Sequence, residues 1–218
     1  MELNPKTDAI CPIFFKKTGN EKLEQIGSSV VVKIKDRLFL LTVAHITDFL
    51  NHGVLFIPTT DGLSQLYGNY SPFKIPTGFR REHDKVDIAY FKLNEKLSSQ
   101  IHPTIKYLER TDIHLTESLI ENDIYTFSGY PVSKAKNEDK KYISEIFSYT
   151  GYAASKSEYD KLGYDNSFHI VVHFNRKNSC TSEGIKQIPP HPKGISGGAV
   201  FSWPKDIKTR GKEPKFHL

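Results

Sequence analysis

Pro192-Lys193-Gly194-Ile195-Ser196-Gly197-Gly198-Ala199-Val200-Phe201 is the stretch on which the reading of this chain turns. A serine stands between glycines, and a strand-forming run follows at once. Glycine at these positions lets backbone N–H groups turn inward with no Cβ in the way. Donors at Gly194 and Ser196 would then hold the oxygen that becomes negative as the Ser196 hydroxyl attacks a carbonyl, a contribution of roughly 3 kcal/mol per donor. A plain Gly-rich turn ahead of a strand is the alternative, and by itself the stretch fits both equally.

A hydroxyl attacks only if a base takes its proton. Leu41-Thr42-Val43-Ala44-His45 delivers an imidazole from an apolar strand into a turn. Histidine ionises nearest neutral pH, so His45 suits a base that later returns the proton to a leaving group; taken alone, such a residue is more often a satisfied core histidine. Asp84-Lys85-Val86-Asp87-Ile88-Ala89-Tyr90-Phe91 places a carboxylate at the mouth of a strongly apolar strand. Burying it there without a partner is costly. Accepting an imidazole N–H removes that cost and fixes the tautomer whose other nitrogen is free to act as a base. A turn aspartate is the other reading, and Asp84 fits it better than Asp87.

Around these segments the chain reads as mainly β. Runs rich in Val, Ile, Phe, Tyr and Leu recur between turn signals, and few stretches carry the spacing of a long helix. Strands are predicted over 11–16, 29–35, 38–43, 54–58, 88–93, 124–128, 168–174 and 199–203, with a tight hairpin at Lys35-Asp36-Arg37. Thr47 or Asp48 would cap a helical turn through Phe49 and Leu50, and 140–147 is ambiguous between helix and strand. A polar stretch from Glu109 to Glu121 divides two halves, 1–110 carrying His45 and Asp87, and 111–218 carrying Ser196.

Composition narrows the function classes. The net charge of +5 arises from 30 Lys and Arg against 25 Asp and Glu. These charges are scattered apart from Lys134, Lys136, Lys140 and Lys141, without the aromatic interleaving of a nucleic-acid site, so no nucleic-acid partner is expected. No window approaches the roughly 18 apolar residues of a membrane span, and the first ten residues lack an apolar signal core, so a cytoplasmic protein with no membrane partner is expected. Two cysteines, Cys11 and Cys180, are too few for a disulfide framework and read as small buried residues in a reducing compartment. No motif calls for a cofactor or a metal; His169 and His173, four apart on one predicted strand face, lack a third ligand.

The order His45, Asp87, Ser196 and the segments around them resemble the trypsin and chymotrypsin family of serine peptidases. Thr42-Val43-Ala44-His45 is similar to its histidine motif, Asp87-Ile88-Ala89 to its aspartate motif, and Gly194-Ile195-Ser196-Gly197-Gly198 to its nucleophile motif. Gly129-Tyr130-Pro131 resembles a segment early in the second barrel of bacterial members. The likeness runs from about Gly27 onward, though only these four motifs are specific. It implies an all-β, chymotrypsin-like double barrel with the cleft between its halves. It implies also a catalytic set of His45, Asp87 and Ser196, an oxyanion hole at Gly194 and Ser196, and hydrolysis of peptide bonds through an acyl-enzyme.

Departures from the family pattern set further expectations. Ile195 stands where secreted members carry an aspartate, and no Ile-Val-Gly-Gly-like start is present, so activation by cleavage within the first 30 residues is not expected. Only 22 residues follow Ser196, which makes the second barrel look truncated at its C-terminus. Phe216-His217-Leu218 reads as the start of a strand cut short, which leaves open a processed fragment or a module completed by another polypeptide; a protein or peptide substrate is expected, with a regulatory partner or completing polypeptide as a further candidate. His191 and Lys193 lie near the expected substrate pocket, although His191 reads more readily as a surface residue held by prolines than as a group that binds substrate. The rival function is a catalytically inactive peptide-binding or scaffold module on the same fold. An acyl hydrolase of the other triad order does not fit, because the serine comes last.

Overall fold

The computed structural model describes residues 6–73, 78–114, 124–138, 141–181, 184–203 and 215–217. Strands β1 (Ile10–Lys17), β2 (Leu23–Ile34), β3 (Arg37–Thr42), β4 (Gly53–Thr59), β5 (Gly62–Gln65), β6 (Gly68–Pro72), β7 (Ala89–Leu93) and β8 (Leu108–Glu109) form one curled sheet. Its order is β5-β4-β1-β2-β3-β7-β6, with β8 beside β2. A second sheet takes β9 (Ile113–His114), β10 (Ile124–Gly129), β13 (Phe147–Tyr152), β14 (Ala199–Ser202) and β15 (Lys215–His217), in the order β13-β10-β14-β15-β9. Strands β11 (Ala135–Glu138) and β12 (Lys141–Ser144) pair as a separate hairpin. The all-β, two-sheet architecture agrees with the chymotrypsin-like double-barrel expectation. The chain leaves the first sheet at β8 and enters the second at β9, within the polar stretch that begins at Glu109; residues 115–121 of that stretch, Lys140 and Leu218 lie outside the described residues.

Strand β2 explains how the halves are held together. Successive side chains on a strand point to opposite faces. Val31 enters a core with Ile13, Leu40, Ile46, Leu55, Ile57 and Phe91 inside the first sheet. Val30 and Val32 face the other way, into a second cluster with Ile10, Leu108, Ala199 and Phe201, the last two from the second sheet. Such a strand is covered on both faces, and its Val30-Val31-Val32 run follows from that. The β1–β2 register shifts between Ile13, paired with Gly27, and Phe14, paired with Gln25. Ile26 is therefore an extra residue, a bulge that turns the following Gly27-Ser28 toward the second sheet.

Several expectations are corrected. Residues 168–174 form no strand: Tyr159 Oη occupies the Val171 N–H and the His169 carbonyl, leaving a single bridge between Val172 and Ala153. The helical turn near His45 starts at Ala44, as α1 (Ala44–Thr47), and runs into a 3-10 turn over Asp48–Asn51, with Thr47 Oγ1 bonded back to the Ala44 carbonyl instead of capping forward. The ambiguous 140–147 region contains β12 and the start of β13. Two helices went unpredicted, α2 (Glu95–Gln100), capped by Asn94, and α3 (Lys156–Leu162), capped by Ser155. Cys11 is buried, and burial pushes its thiol up to about 12. Cys180 is exposed, in a loop tied by one bridge to Lys186. Among the described residues no helix is long and apolar enough to cross a membrane.

Phe91 lies 1% exposed in the first core, stacked on Tyr70. Phe91→Ala is expected to cost about 3–5 kcal/mol of unfolding free energy, read from the shift in denaturant midpoint. Phe168→Ala, at a side chain 82% exposed, is expected to stay within about 0.5 kcal/mol.

Candidate active site

Helix α1 carries His45 at its second residue, directly after β3, so the strand's burial decides where the ring stands. Asp87 reaches the same place from the loop ahead of β7, which pairs with β3 through Thr42 and Ala89. The two side chains meet: His45 Nδ1 bonds Asp87 Oδ2, and the His45 backbone N–H donates to Asp87 Oδ1 at 2.8 Å. The Ala44 N–H donates to the Asp87 carbonyl at 3.3 Å. The carboxylate thus grips the ring and the backbone of one residue.

Burial pushes the Asp87 carboxyl up, but the bonds from the His45 ring and backbone, with the charges of His45 and Arg81, outweigh it and hold the group below its ordinary range. An ionised acceptor at Nδ1 requires the proton there, so Nε2 is left as a lone-pair base. The Asp87 side chain is 27% exposed and the His45 side chain 41%, so the carboxylate is half-shielded and the base open to an incoming group.

The serine turn is held from β2. The Ser28 N–H donates to the Ser196 carbonyl at 2.8 Å, and Ser28 Oγ donates to the Gly194 carbonyl at 2.8 Å while accepting from the Tyr130 N–H. Glycine is required by geometry at two points of this turn. Gly194 (φ +96°) and Gly197 (φ +84°) lie in the left-handed region that side chains disfavour. A Cβ on Gly194 would stand 2.7 Å from the Tyr130 carbonyl, and one on Gly197 would overlap the Ser28 carbonyl and Thr42 Oγ1. A Cβ on Gly27 would meet Ile46 Cδ1 at 2.6 Å and the Ser196 carbonyl at 3.3 Å. The helix with His45 and the turn with Ser196 therefore pack against the same glycine.

Among the described residues, the N–H groups of Gly194 and Ser196 donate to no protein group, while the neighbouring Ile195 and Gly198 N–H groups are internally bonded. The hydrogen bonds of His45 run to Asp87, and none joins its ring to the Ser196 hydroxyl. Beside this turn a groove of about 560 Å³ lies between the halves, with Ile26, Phe49, Val132, Lys136, Tyr142 and Lys193 on its walls. Lys193 lines that groove; His191 does not, and it accepts the Lys193 N–H at 3.2 Å. His169 and His173 do not share a site: one ring lies between the Lys85 and Asp165 carbonyls, and the other faces Glu158.

Sequence reasoning missed Gly27, Ser28 and Arg81. A glycine inside an apolar strand pattern signals close backbone approach, and that signal was present at Gly27. Gly129-Tyr130-Pro131, noted by resemblance, abuts the serine turn: a Cβ on Gly129 would stand 2.9 Å from the Ile195 carbonyl.

No family model matches the chain, and no curated protein matches its sequence. Among solved structures, it is similar to neuropsin, a serine protease expressed in the limbic system of mouse brain, with TM-score 0.49 and 13% identity, covering 96% of this chain and 85% of that one. It is similar also to the serine endoprotease from Yersinia pestis, with TM-score 0.45 and 13% identity, covering 96% of this chain and 58% of that one. The chain thus spans less than two thirds of the Yersinia protein's length.

A carboxylate held below its ordinary value stabilises the fold above that value and loses the effect as the pH falls through its native one. The Tm difference between wild type and Asp87→Asn is therefore expected to be present near neutral pH and to shrink below about pH 4. Thermal melts across that range check it; a difference that persists unchanged in acid contradicts it.

Proposed function

We propose that this chain is a serine endopeptidase that cleaves peptide bonds through an acyl-enzyme on Ser196. The observation that carries the reading is the Asp87 carboxylate bonded to both the ring and the backbone N–H of His45, which leaves Nε2 as the base. In this mechanism Ser196 Oγ attacks the substrate carbonyl carbon as its proton passes to His45 Nε2. The carbonyl oxygen becomes an oxyanion and takes hydrogen bonds from the Gly194 and Ser196 N–H groups. Collapse breaks the C–N bond, and His45 returns the proton to the departing amine. Water then attacks the ester, again losing its proton to Nε2, and releases the acid and the Ser196 hydroxyl. Asp87 stays ionised throughout and stabilises the imidazolium.

Two features support the substrate class. Among the described residues the Gly194 and Ser196 N–H groups donate to no protein group and can meet a substrate oxygen; Gly194 is buried, where a donor left unpaired costs about 1–3 kcal/mol. The adjoining groove sets apolar side chains, among them Phe14, Leu23, Ile26, Phe49 and Val132, beside the charged Lys22, Glu24, Lys136 and Lys193, a mixed lining that can receive the varied side chains of a peptide. The missing bond between ring and hydroxyl is compatible with this chemistry, because nucleophile–base bonds are often long before substrate binds and tighten in the Michaelis complex. A regulatory partner that brings the two together is the natural extension of this proposal.

A fluorophosphonate probe is expected to label Ser196 in the wild type and not in Ser196→Ala. Peptide hydrolysis by Asp87→Asn is expected to fall by roughly 10⁴, because the wrong tautomer is then favoured. A folded wild-type chain that neither labels nor cleaves, alone or with added partner proteins, would leave the inactive binding module as the better description.

A further inference from the structure

Arg81 lies in a 3-10 turn over Arg81–His83, outside the catalytic set, yet it joins the helical stretch that follows His45, the loop that precedes Asp87 and Phe73, directly after β6. Its Nε and Nη2 reach Asp48 Oδ2 and Oδ1 at 3.0 and 3.3 Å, a two-pronged pair with the residue three beyond His45 in the same helical stretch. Its Nη1 donates to Asp84 Oδ2 at 2.7 Å, three residues ahead of Asp87, and to the Phe73 carbonyl at 3.2 Å. Asp84 is 4% exposed and also accepts the Val86 N–H at 2.9 Å. The planar guanidinium suits this, because its donors point in fixed directions that a lysine ammonium does not reproduce.

We propose that Arg81 is a positioning residue: by clamping Asp48 and Asp84 it fixes the separation between the helix that presents His45 and the loop that presents Asp87. The chemical consequence rests on the peptidase reading; the geometric one does not. Asp87 is only half-buried and its loop carries the exposed residues Lys85, Val86 and Ile88, so local packing around the loop is sparse. The ion pairs take over what packing does elsewhere. Lys85 adds a second tether on the far side, donating to the Gly163 carbonyl after α3.

The test uses the whole chain as wild type, Arg81→Met, Arg81→Lys, Asp48→Asn, the double variant Arg81→Met/Asp48→Asn, and Arg80→Met as control. Arg80 is an exposed neighbour paired only with Glu82 among the described residues. Two quantities are measured on protein shown to be folded by melting: the NMR resonance of the strongly deshielded proton between His45 Nδ1 and Asp87 Oδ2, and the rate of fluorophosphonate labelling at Ser196. In Arg81→Met and Asp48→Asn the resonance is expected to broaden or vanish and labelling to slow by roughly tenfold to a hundredfold. The double variant is expected to lie within about twofold of the worse single one, since both cut the same clamp. Arg81→Lys recovers little, and Arg80→Met matches wild type. Asp48→Asn leaves the Arg81–Asp84 pair in place, so it tests the clamp even if Arg81→Met fails to fold. A wild-type resonance with labelling within about twofold in Asp48→Asn overturns the inference. So does a labelling loss in Arg80→Met equal to that in Arg81→Met. A wild type that shows the resonance but never labels removes the peptidase reading alone, and the clamp is then decided by the resonance.

Discussion

The site depends on the close approach of β2 to the serine turn. Ser28 gives its N–H to the Ser196 carbonyl and its hydroxyl to the Gly194 carbonyl, and its own carbonyl accepts from Thr42 Oγ1. Ser28 is fully buried, so each of these groups would be costly to leave unpaired. The approach is possible because Gly27 and Gly197 have no side chain to keep the backbones apart. One strand of the first sheet thereby sets the serine turn of the second against the helix of His45, and the Val30 and Val32 cluster holds the sheets at that spacing.

Against this rigid frame the aspartate is held differently. Burial pushes the Asp87 carboxyl up, and the hydrogen bonds from His45 outweigh it and hold the group below its ordinary range. The same bonds select the ring tautomer, so the charge of the carboxylate and the orientation of the ring draw on one interaction. A loop that is exposed at Lys85, Val86 and Ile88 has to deliver that carboxylate, and Arg81 with its two carboxylate partners does so by charge and direction instead of by apolar contact.

The misreadings share a cause. Aromatic and β-branched residues at 168–174 read as a strand because propensity describes what a backbone can do, whereas Tyr159 from α3 takes the hydrogen bonds a ladder would need. Cys180 read as buried on the usual habit of cysteine, but it lies exposed in its loop. At His45 the helix begins before the residues with capping chemistry, because β3 ends at Thr42 and the turn that follows buries Ile46 in the core of the first sheet.

By itself the sequence determined the all-β character, the hairpin between β2 and β3, and the three segments bearing His45, Asp87 and Ser196, since alternation, turn chemistry and glycine placement are local properties. Tertiary structure decided what no local pattern encodes: that His45 and Asp87 share hydrogen bonds across 42 residues of chain, that Ser28 anchors the serine turn from 166 residues away, and that Arg81 bridges two acidic residues. Pairings between distant residues depend on the path of the chain in three dimensions. That path is set by which apolar faces bury together, and it is the sum of all the segments at once.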